Sequence, residues 1–180
     1  DVYKRQVQKN GIWELTLKDV TGRSTRRYAR MVVNAAGPWV ADVVTQVVQV
    51  NQTEGVRLVR GSHIVTRRLY EHDKCYFFQG SDGRIMFSIP YEEDYTLIGT
   101  TDVEQADLSE SPGCSEAEAD YMLRFVNRYF RRELTGDDIV WSYSGVRALY
   151  DDGASTATAT TRDYVLQLDR STGAPLLNIF

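Results

Sequence analysis

The chain has 180 residues and carries 21 basic against 25 acidic side chains, a formal net charge of −4. That length suffices for one domain with a real core, and the mildly acidic balance argues against the strongly basic face of a nucleic-acid-binding protein. Cys75 and Cys114 lie far apart with no C-x-x-C spacing, so neither a zinc site nor a disulfide framework is expected and a reducing compartment fits; no run of 18 apolar residues is present to cross a membrane as a helix.

Residues 1–6 follow no strand or helix pattern; they resemble adapter read-through and are set aside from the fold. Residues 11–17 alternate apolar and polar side chains, the period of a half-buried strand. Residues 19–23, with Gly22, read as a turn, residues 24–30 as the returning strand and residues 31–34 as a third. The third strand opens the stretch Val32-Val33-Asn34-Ala35-Ala36-Gly37-Pro38-Trp39, in which a short strand runs into a small-residue turn and then a helix. Gly37 permits dihedrals closed to other residues, and Pro38 suits a first helical turn. Such a strand end is where α/β folds hold nucleotide cofactors, although a tight turn without any ligand has the same local sequence. Residues 39–50 are apolar on more than one face and predict a buried helix; residues 51–55 are a polar break.

Residues 58–66, 75–79, 84–89 and 95–100 read as four strands, joined by Gly80-Ser81-Asp82-Gly83 and Tyr91-Glu92-Glu93-Asp94. Short connections between successive strands predict an antiparallel sheet. Ser115 and Glu118 have capping-box spacing, starting a helix expected to reach about residue 132, with Tyr121, Met122, Phe125, Val126 and Tyr129 as its core stripe. Residues 139–144 and 164–168 read as further strands around a polar loop at 151–160. No internal repeat is visible.

Several residues are suited to chemistry. Arg147 ends one candidate strand and Arg162 begins the next; two guanidinium forks at neighbouring strand ends can grip one phosphate dianion, or each can pair with a nearby acid (Asp151 and Asp152, or Asp163). His63 in a strand is either a structural histidine or, beside a reacting carbon, a proton acceptor with an ordinary pKa of about 6.5. Thr100 and Thr101 can offer hydroxyls to a ligand or serve the turn itself, with Asp102 as a partner for an arginine. His72 lies in a charged turn and is expected to face solvent. Lys18, Arg26, Arg27 and Arg30 read as a solvated face, and Arg131-Arg132 as cations near a helix C-terminus. No metal site is expected.

Five segments carry a family likeness: Val32 to Trp39, Arg60-Gly61-Ser62-His63-Ile64-Val65, Ile98-Gly99-Thr100-Thr101-Asp102, Trp141-Ser142-Tyr143-Ser144-Gly145-Val146-Arg147, and Thr161-Arg162-Asp163-Tyr164. In this order and spacing they resemble the FAD-dependent glycerol-3-phosphate dehydrogenases. These belong to the wider group of two-domain flavin oxidoreductases that includes D-amino-acid and glycine oxidases. The first segment is shared across that group; the other four are those of the glycerol-3-phosphate branch.

The resemblance implies a mixed α/β fold. Residues 7–50 would be the tail of a Rossmann-like FAD-binding domain, residues 56–145 an antiparallel substrate-binding sheet with a covering helix, and residues 146–180 a return toward the FAD domain. It implies FAD as cofactor, with Asn34, Ala35, Ala36, Gly37, Pro38 and Trp39 against it. It further implies oxidation of sn-glycerol 3-phosphate to dihydroxyacetone phosphate by hydride transfer to the flavin. Arg147 and Arg162 would anchor the phosphate, His63 would be the base or hydroxyl orienter, and Thr100 and Thr101 would line the site. A quinone as electron acceptor and a homodimer are implied as well. So is a peripheral position on the cytoplasmic face of the cell membrane, reached through parts outside these residues. A glycerol-3-phosphate oxidase or a sister flavin oxidase would share the fold. The family's G-x-G-x-x-G and Gly-Gly-Lys segments do not occur in the 180 residues, so the chain reads as an internal piece that, alone, is expected to bind FAD weakly or not at all and to be inactive.

Overall fold

Strand alternation and turn chemistry build most of the chain. The computed structural model describes residues 2–9, 11–48, 55–81, 83–108, 111–156, 159–171 and 173–180. The backbone forms two units, one of residues 1–57, 148–154 and 160–180, the other of residues 58–147 and 155–159.

In the first unit, β1 (Val2–Lys9), β2 (Ile12–Lys18) and β3 (Ser24–Ala29) form an antiparallel meander. The turn between β2 and β3 is held by Asp19, whose Oδ1 accepts the backbone N–H groups of Thr21 and Arg23, each at 2.9 Å; Gly22 takes the positive φ of 87° that this turn requires. Strand β1 corrects the sequence reading, which set residues 1–6 aside. Its composition has no apolar alternation, and what makes it a strand is backbone pairing with β2, from Val2 opposite Lys18 to Lys9 opposite Ile12.

A second sheet in this unit orders β11 (Leu166–Asp169), β12 (Leu176–Ile179) and β4 (Val32–Asn34), with β12 parallel to β4. Trp13 of β2 packs with Ala174 and Leu176 in a buried apolar cluster of this unit. The Trp13 indole N–H donates to the carbonyl of Pro175 at 2.8 Å, so the ring buries its area without stranding its donor.

After β4 the chain passes through a 3₁₀ turn (Gly37–Trp39), a single turn α1 (Val40–Asp42) and a π-helical stretch (Val43–Val48). One α-helix over 39–50 was expected; residues 49 and 50 lie outside the described residues, as do 51–54 of the polar break. The run is dominated by β-branched residues, whose restricted χ1 lowers their preference for a regular α-helix. Nor is it buried all round: Val40 and Val44 are buried, while Trp39 is 55% exposed.

The second unit is a six-stranded sheet in the order β10 (Ile139–Tyr150), β5 (Val56–Arg67), β8 (Tyr95–Gly99), β7 (Ile85–Tyr91), β6 (Tyr76–Gln79), with the short β9 (Val103–Glu104) also on β5. The β5–β8, β8–β7, β7–β6 and β5–β9 pairs are antiparallel. Helix α2 (Glu116–Val126) packs Met122, Leu123, Phe125 and Val126 against Ile64, Met86 and Ile98. It starts with the expected capping box at Ser115 and Glu118. It stops six residues earlier than expected, because Asn127 takes over the chain: its side-chain amide donates to the carbonyl of Leu134 and accepts the Leu134 N–H, at 2.8 and 2.9 Å. Tyr129 lies past the helix end and stacks on Phe78, with centroids 4.4 Å apart. Strand β10 is longer than the sequence suggested, so Arg147 lies within a strand rather than at its end.

Candidate active site

Two glycines in facing strands shape the site in the second unit. His63 on β5 is directly opposite Gly99 on β8. A Cβ at position 99 would lie 2.7 Å from Cγ and 2.8 Å from Nε2 of His63, so only glycine lets the imidazole lie over the end of β8. The ring also stacks on Tyr143 of β10, with centroids 4.9 Å apart and planes 5° from parallel. Its Nδ1 is buried and has no hydrogen-bond partner among the described residues. Burial, and then the positive charge of Arg147, hold the imidazole pKa below its ordinary 6.5. Both effects favour the neutral imidazole over the cation.

Gly61 performs the same service for Arg147. A side chain at position 61 would collide with the guanidinium group, its Cβ lying 2.7 Å from Cζ. The guanidinium thus lies over bare backbone. Its Nη1 donates to Asp102 Oδ1 at 3.4 Å and its Nη2 to Thr100 Oγ1 at 3.2 Å. The side chain remains 35% exposed, which leaves donors accessible to an anion. The sequence left open whether Arg147 pairs with Asp151 or Asp152. The geometry gives it Asp102, while Asp152 is occupied by the backbone N–H groups of Ala154 and Thr161.

Behind these residues is Glu118, which the sequence reading treated only as a helix cap. Its carboxylate is 6% exposed and accepts five hydrogen bonds. Oε1 receives Ser62 Oγ at 2.7 Å and Thr101 Oγ1 at 2.8 Å. Oε2 receives Arg60 Nη2 at 2.9 Å, Ser115 Oγ at 2.7 Å and the Ser115 N–H at 3.0 Å. Burial alone would raise its pKa; the bonds from Ser115, Ser62 and Thr101 outweigh that and bring it down to about 2. Because a carboxylate only accepts, Ser62 Oγ gives its proton to Glu118 and must receive one from Ser144 Oγ, 2.7 Å away on β10. The signal for this hub was present as a capping box, but its distant partners lie 17 to 58 residues away in the chain.

The second unit therefore brings together His63, Thr100, Thr101 and Arg147, with Asp102. His72 is exposed and bonds the Tyr76 hydroxyl at 2.9 Å. Arg162 belongs to the first unit, where it is exposed in the loop ahead of β11. The turn at residues 34–39 is also in the first unit. Asn34 there is buried, its Nδ2 donating to the carbonyl of Val40 and to Asn178 Oδ1, both at 3.0 Å. Its amide staples the turn to the following helix and to β12 rather than facing outward. Ala35 and Gly37 are exposed, Gly37 has φ 56°, and nothing lies within 4 Å of where its Cβ would be. An open face of bare backbone beside the exposed Trp39 fits a flat cofactor. Among the described residues no group of three or more His, Cys, Asp or Glu side chains could hold a metal ion.

A histidine and an arginine, each seated over a glycine of a facing strand, form the candidate site of the second unit. Residues 2–171 match the model of the FAD dependent oxidoreductase family, and the chain belongs to that family. It is 44% identical over 174 residues to D-erythritol 1-phosphate dehydrogenase of Brucella abortus, covering 96% of this chain and 35% of that protein. It is 42% identical to glycerol-3-phosphate dehydrogenase of Pseudomonas tolaasii, with 96% and 34% covered. With aerobic glycerol-3-phosphate dehydrogenase of Escherichia coli it shares 41% identity, with 96% and 35% covered. The crystal structure of glycerol-3-phosphate dehydrogenase from Bacillus halodurans complexed with FAD superposes with a TM-score of 0.76 at 27% identity, over 98% of this chain and 34% of that one. The amino acid oxidase NikD shares the fold, with a TM-score of 0.65 at 12% identity. The chain spans about a third of the length of the curated relatives it matches. The family match begins at Val2, in keeping with the place of β1 in the fold. The likeness to FAD-dependent glycerol-3-phosphate dehydrogenases read from the five segments holds over nearly the whole chain, and the fold is mixed α/β with antiparallel sheets, as that likeness implied.

Proposed function

We propose that this chain is the substrate-recognising segment of an FAD-dependent dehydrogenase of phosphorylated polyols, with sn-glycerol 3-phosphate as substrate and dihydroxyacetone phosphate as product. The observation that carries this is Arg147: a guanidinium seated over Gly61, oriented by Asp102 and Thr100, still accessible, and in the same cluster as His63. A guanidinium held on two sides presents its remaining donors in a fixed direction, the geometry that a phosphate oxygen needs. Holding the phosphate end fixes the carbinol carbon, so that binding energy from a remote group becomes orientation at the reacting one.

His63 accepts the hydroxyl proton as the secondary alcohol becomes a ketone; its lowered pKa keeps the imidazole unprotonated for that task. Tyr143 holds the ring plane and Gly99 leaves room for it. Thr100 lines the site beside the arginine, and Thr101, buried with its hydroxyl given to Glu118, backs it. FAD, when bound, supplies the two-electron acceptor, with Ala35, Ala36, Gly37, Pro38 and Trp39 as the residues that would hold it and Asn34 bracing their turn. On the sequence resemblance we assign Arg162 as a second guanidinium for the phosphate. On the same ground we take residues 7–50 as cofactor-side, 56–145 as substrate-side and 146–180 as the return, with a quinone at a membrane surface as the terminal acceptor and a homodimer as the assembly.

A second substrate is favoured by one observation, the 44% identity to a D-erythritol 1-phosphate dehydrogenase. Both candidates carry a phosphate that Arg147 can bind and differ in the length of the polyol. The test is anaerobic reduction of the flavin in the full-length protein by glycerol 3-phosphate, D-erythritol 1-phosphate, glycerol, a D-amino acid and a 2-hydroxy acid. Bleaching by the phosphorylated polyols alone is expected; bleaching by an amino or hydroxy acid instead would overturn the substrate class.

A further inference from the structure

Glu118 bonds Thr101 directly, and its partners Ser62 and Thr101 are the chain neighbours of His63, Thr100 and Asp102. Ser62 precedes His63, and Thr101 sits between Thr100 and Asp102, the two groups that hold Arg147. Ser144, tied to Ser62, follows Tyr143, the ring on which His63 stacks. A single buried carboxylate on α2 thereby fixes β5, the end of β8 and β10 relative to one another at the point where all three carry site residues. Its fourth partner, Arg60, adds an ion pair at 2.9 Å from β5.

We infer that Glu118 is a positioning residue for the reaction: through Ser62, Thr101 and Ser144 it sets where His63 and Arg147 stand. The assignment of a reaction to those two residues rests on the function proposed above, but the geometric claim does not. A helix cap needs only the Ser115 bonds. The bonds to Ser62, Thr101 and Arg60 contribute nothing to capping, and they consume the carboxylate's remaining acceptor capacity. Glutamine at this position keeps the shape but replaces one acceptor oxygen by an NH₂ donor. It cannot accept from all of the same donors: an NH₂ at the Oε2 position faces the Arg60 guanidinium and the Ser115 N–H donor against donor, and one at the Oε1 position forces the Ser62 and Thr101 hydroxyls to reverse, which disturbs the Ser62–Ser144 bond. Displacements of about 1 Å in groups that position a substrate cost on the order of a hundredfold in rate.

The experiment is Glu118→Gln in the full-length protein, with Ser62→Ala as a gentler second variant that cuts the ties to Glu118 and Ser144 without altering the helix cap. Three quantities are measured: FAD bound per chain, kcat and KM for glycerol 3-phosphate per bound flavin, and the imidazole ¹⁵N shifts of His63, assigned by its loss in His63→Asn. Full flavin occupancy with kcat/KM lowered about tenfold to a hundredfold, and displaced His63 shifts, is the expected result, with Ser62→Ala intermediate. Unchanged kcat, KM and His63 shifts in both variants, with only a lower melting temperature, would overturn the inference and leave Glu118 a fold residue. If the wild-type flavin is not reduced by phosphorylated polyols, the proposed function fails, and the His63 shifts alone still decide the positioning claim. Should Glu118→Gln not fold, Ser62→Ala decides it by the same readings.

Discussion

Replacing Gly99 by alanine asks whether the bare backbone opposite His63 is a requirement of the site or an accident of the strand. The added methyl carbon would stand 2.7 Å from Cγ and 2.8 Å from Nε2 of the imidazole, well inside van der Waals contact, so either the ring or the β5–β8 pairing must give way. Overpacking of this kind costs about 1–3 kcal/mol. If the ring moves, it also leaves its stack on Tyr143, worth a further ~0.5–1.5 kcal/mol. The cheaper relief is rotation of His63, because the sheet is fixed by continuous pairing from His63 opposite Gly99 to Arg67 opposite Tyr95. Loss of a positioned general base lowers kcat by about 10²–10⁴. The assay is flavin reduction by glycerol 3-phosphate in stopped flow, with thermal melting alongside. Gly113→Ala serves as a control, since nothing lies within 4 Å of the Cβ added there, and it is expected to change stability by less than about 0.5 kcal/mol. A Gly99→Ala protein with the rate and melting temperature of Gly113→Ala would refute the reasoning.

Gly61→Ala should act on the other side of the site. The methyl group displaces the Arg147 guanidinium, so KM for the phosphorylated substrate is expected to rise about tenfold or more, while that of an unphosphorylated polyol is unaffected; equal effects on both would contradict the role given to Arg147. Acid stability should report Glu118. Its folded-state pKa of about 2 lies below the ordinary 4.5, so its contribution is complete above pH 4.5 and is lost as pH falls toward 2. The full size is about 3 kcal/mol, of which roughly 2 kcal/mol is lost between pH 6 and pH 3, read as the change in the stability difference between wild type and Glu118→Gln from urea unfolding at those two pH values. The pH dependence of turnover should report His63. Its limb is expected below 6.5, and Arg147→Lys, which keeps the charge, should shift that limb less than Arg147→Ala, which should raise it.

The sheet of the second unit was legible because its strands alternate and its turns carry Gly80, Gly83 and the Pro90–Asp94 break. So was the start of α2, because a capping box is a local pattern. The end of α2 was not, since it depends on Asn127 bonding Leu134, a pairing with no apolar period to mark it. Strand β1 escaped for a like reason: its residues follow no apolar alternation, and its partner alone makes it a strand. His63, Thr100, Thr101 and Arg147 could be singled out by motif. That they share one cluster, with Asp102 rather than Asp151 or Asp152 facing Arg147, needed the β5–β8 register and the reach of β10. The Glu118 hub was hidden because convergence of partners from β5 and the end of β8 on one carboxylate has no sequence period at all.

The most direct test of the central claim, that Arg147 takes the phosphate of a polyol substrate, is a two-by-two comparison in the full-length protein. Flavin reduction by glycerol 3-phosphate and by glycerol is measured in wild type and in Arg147→Ala, with bound FAD quantified in each. The account predicts a loss of about 10²-fold or more for the phosphorylated substrate, little change for glycerol, and undiminished FAD. Equal losses for both substrates, or a loss that simply follows departed FAD, would contradict it.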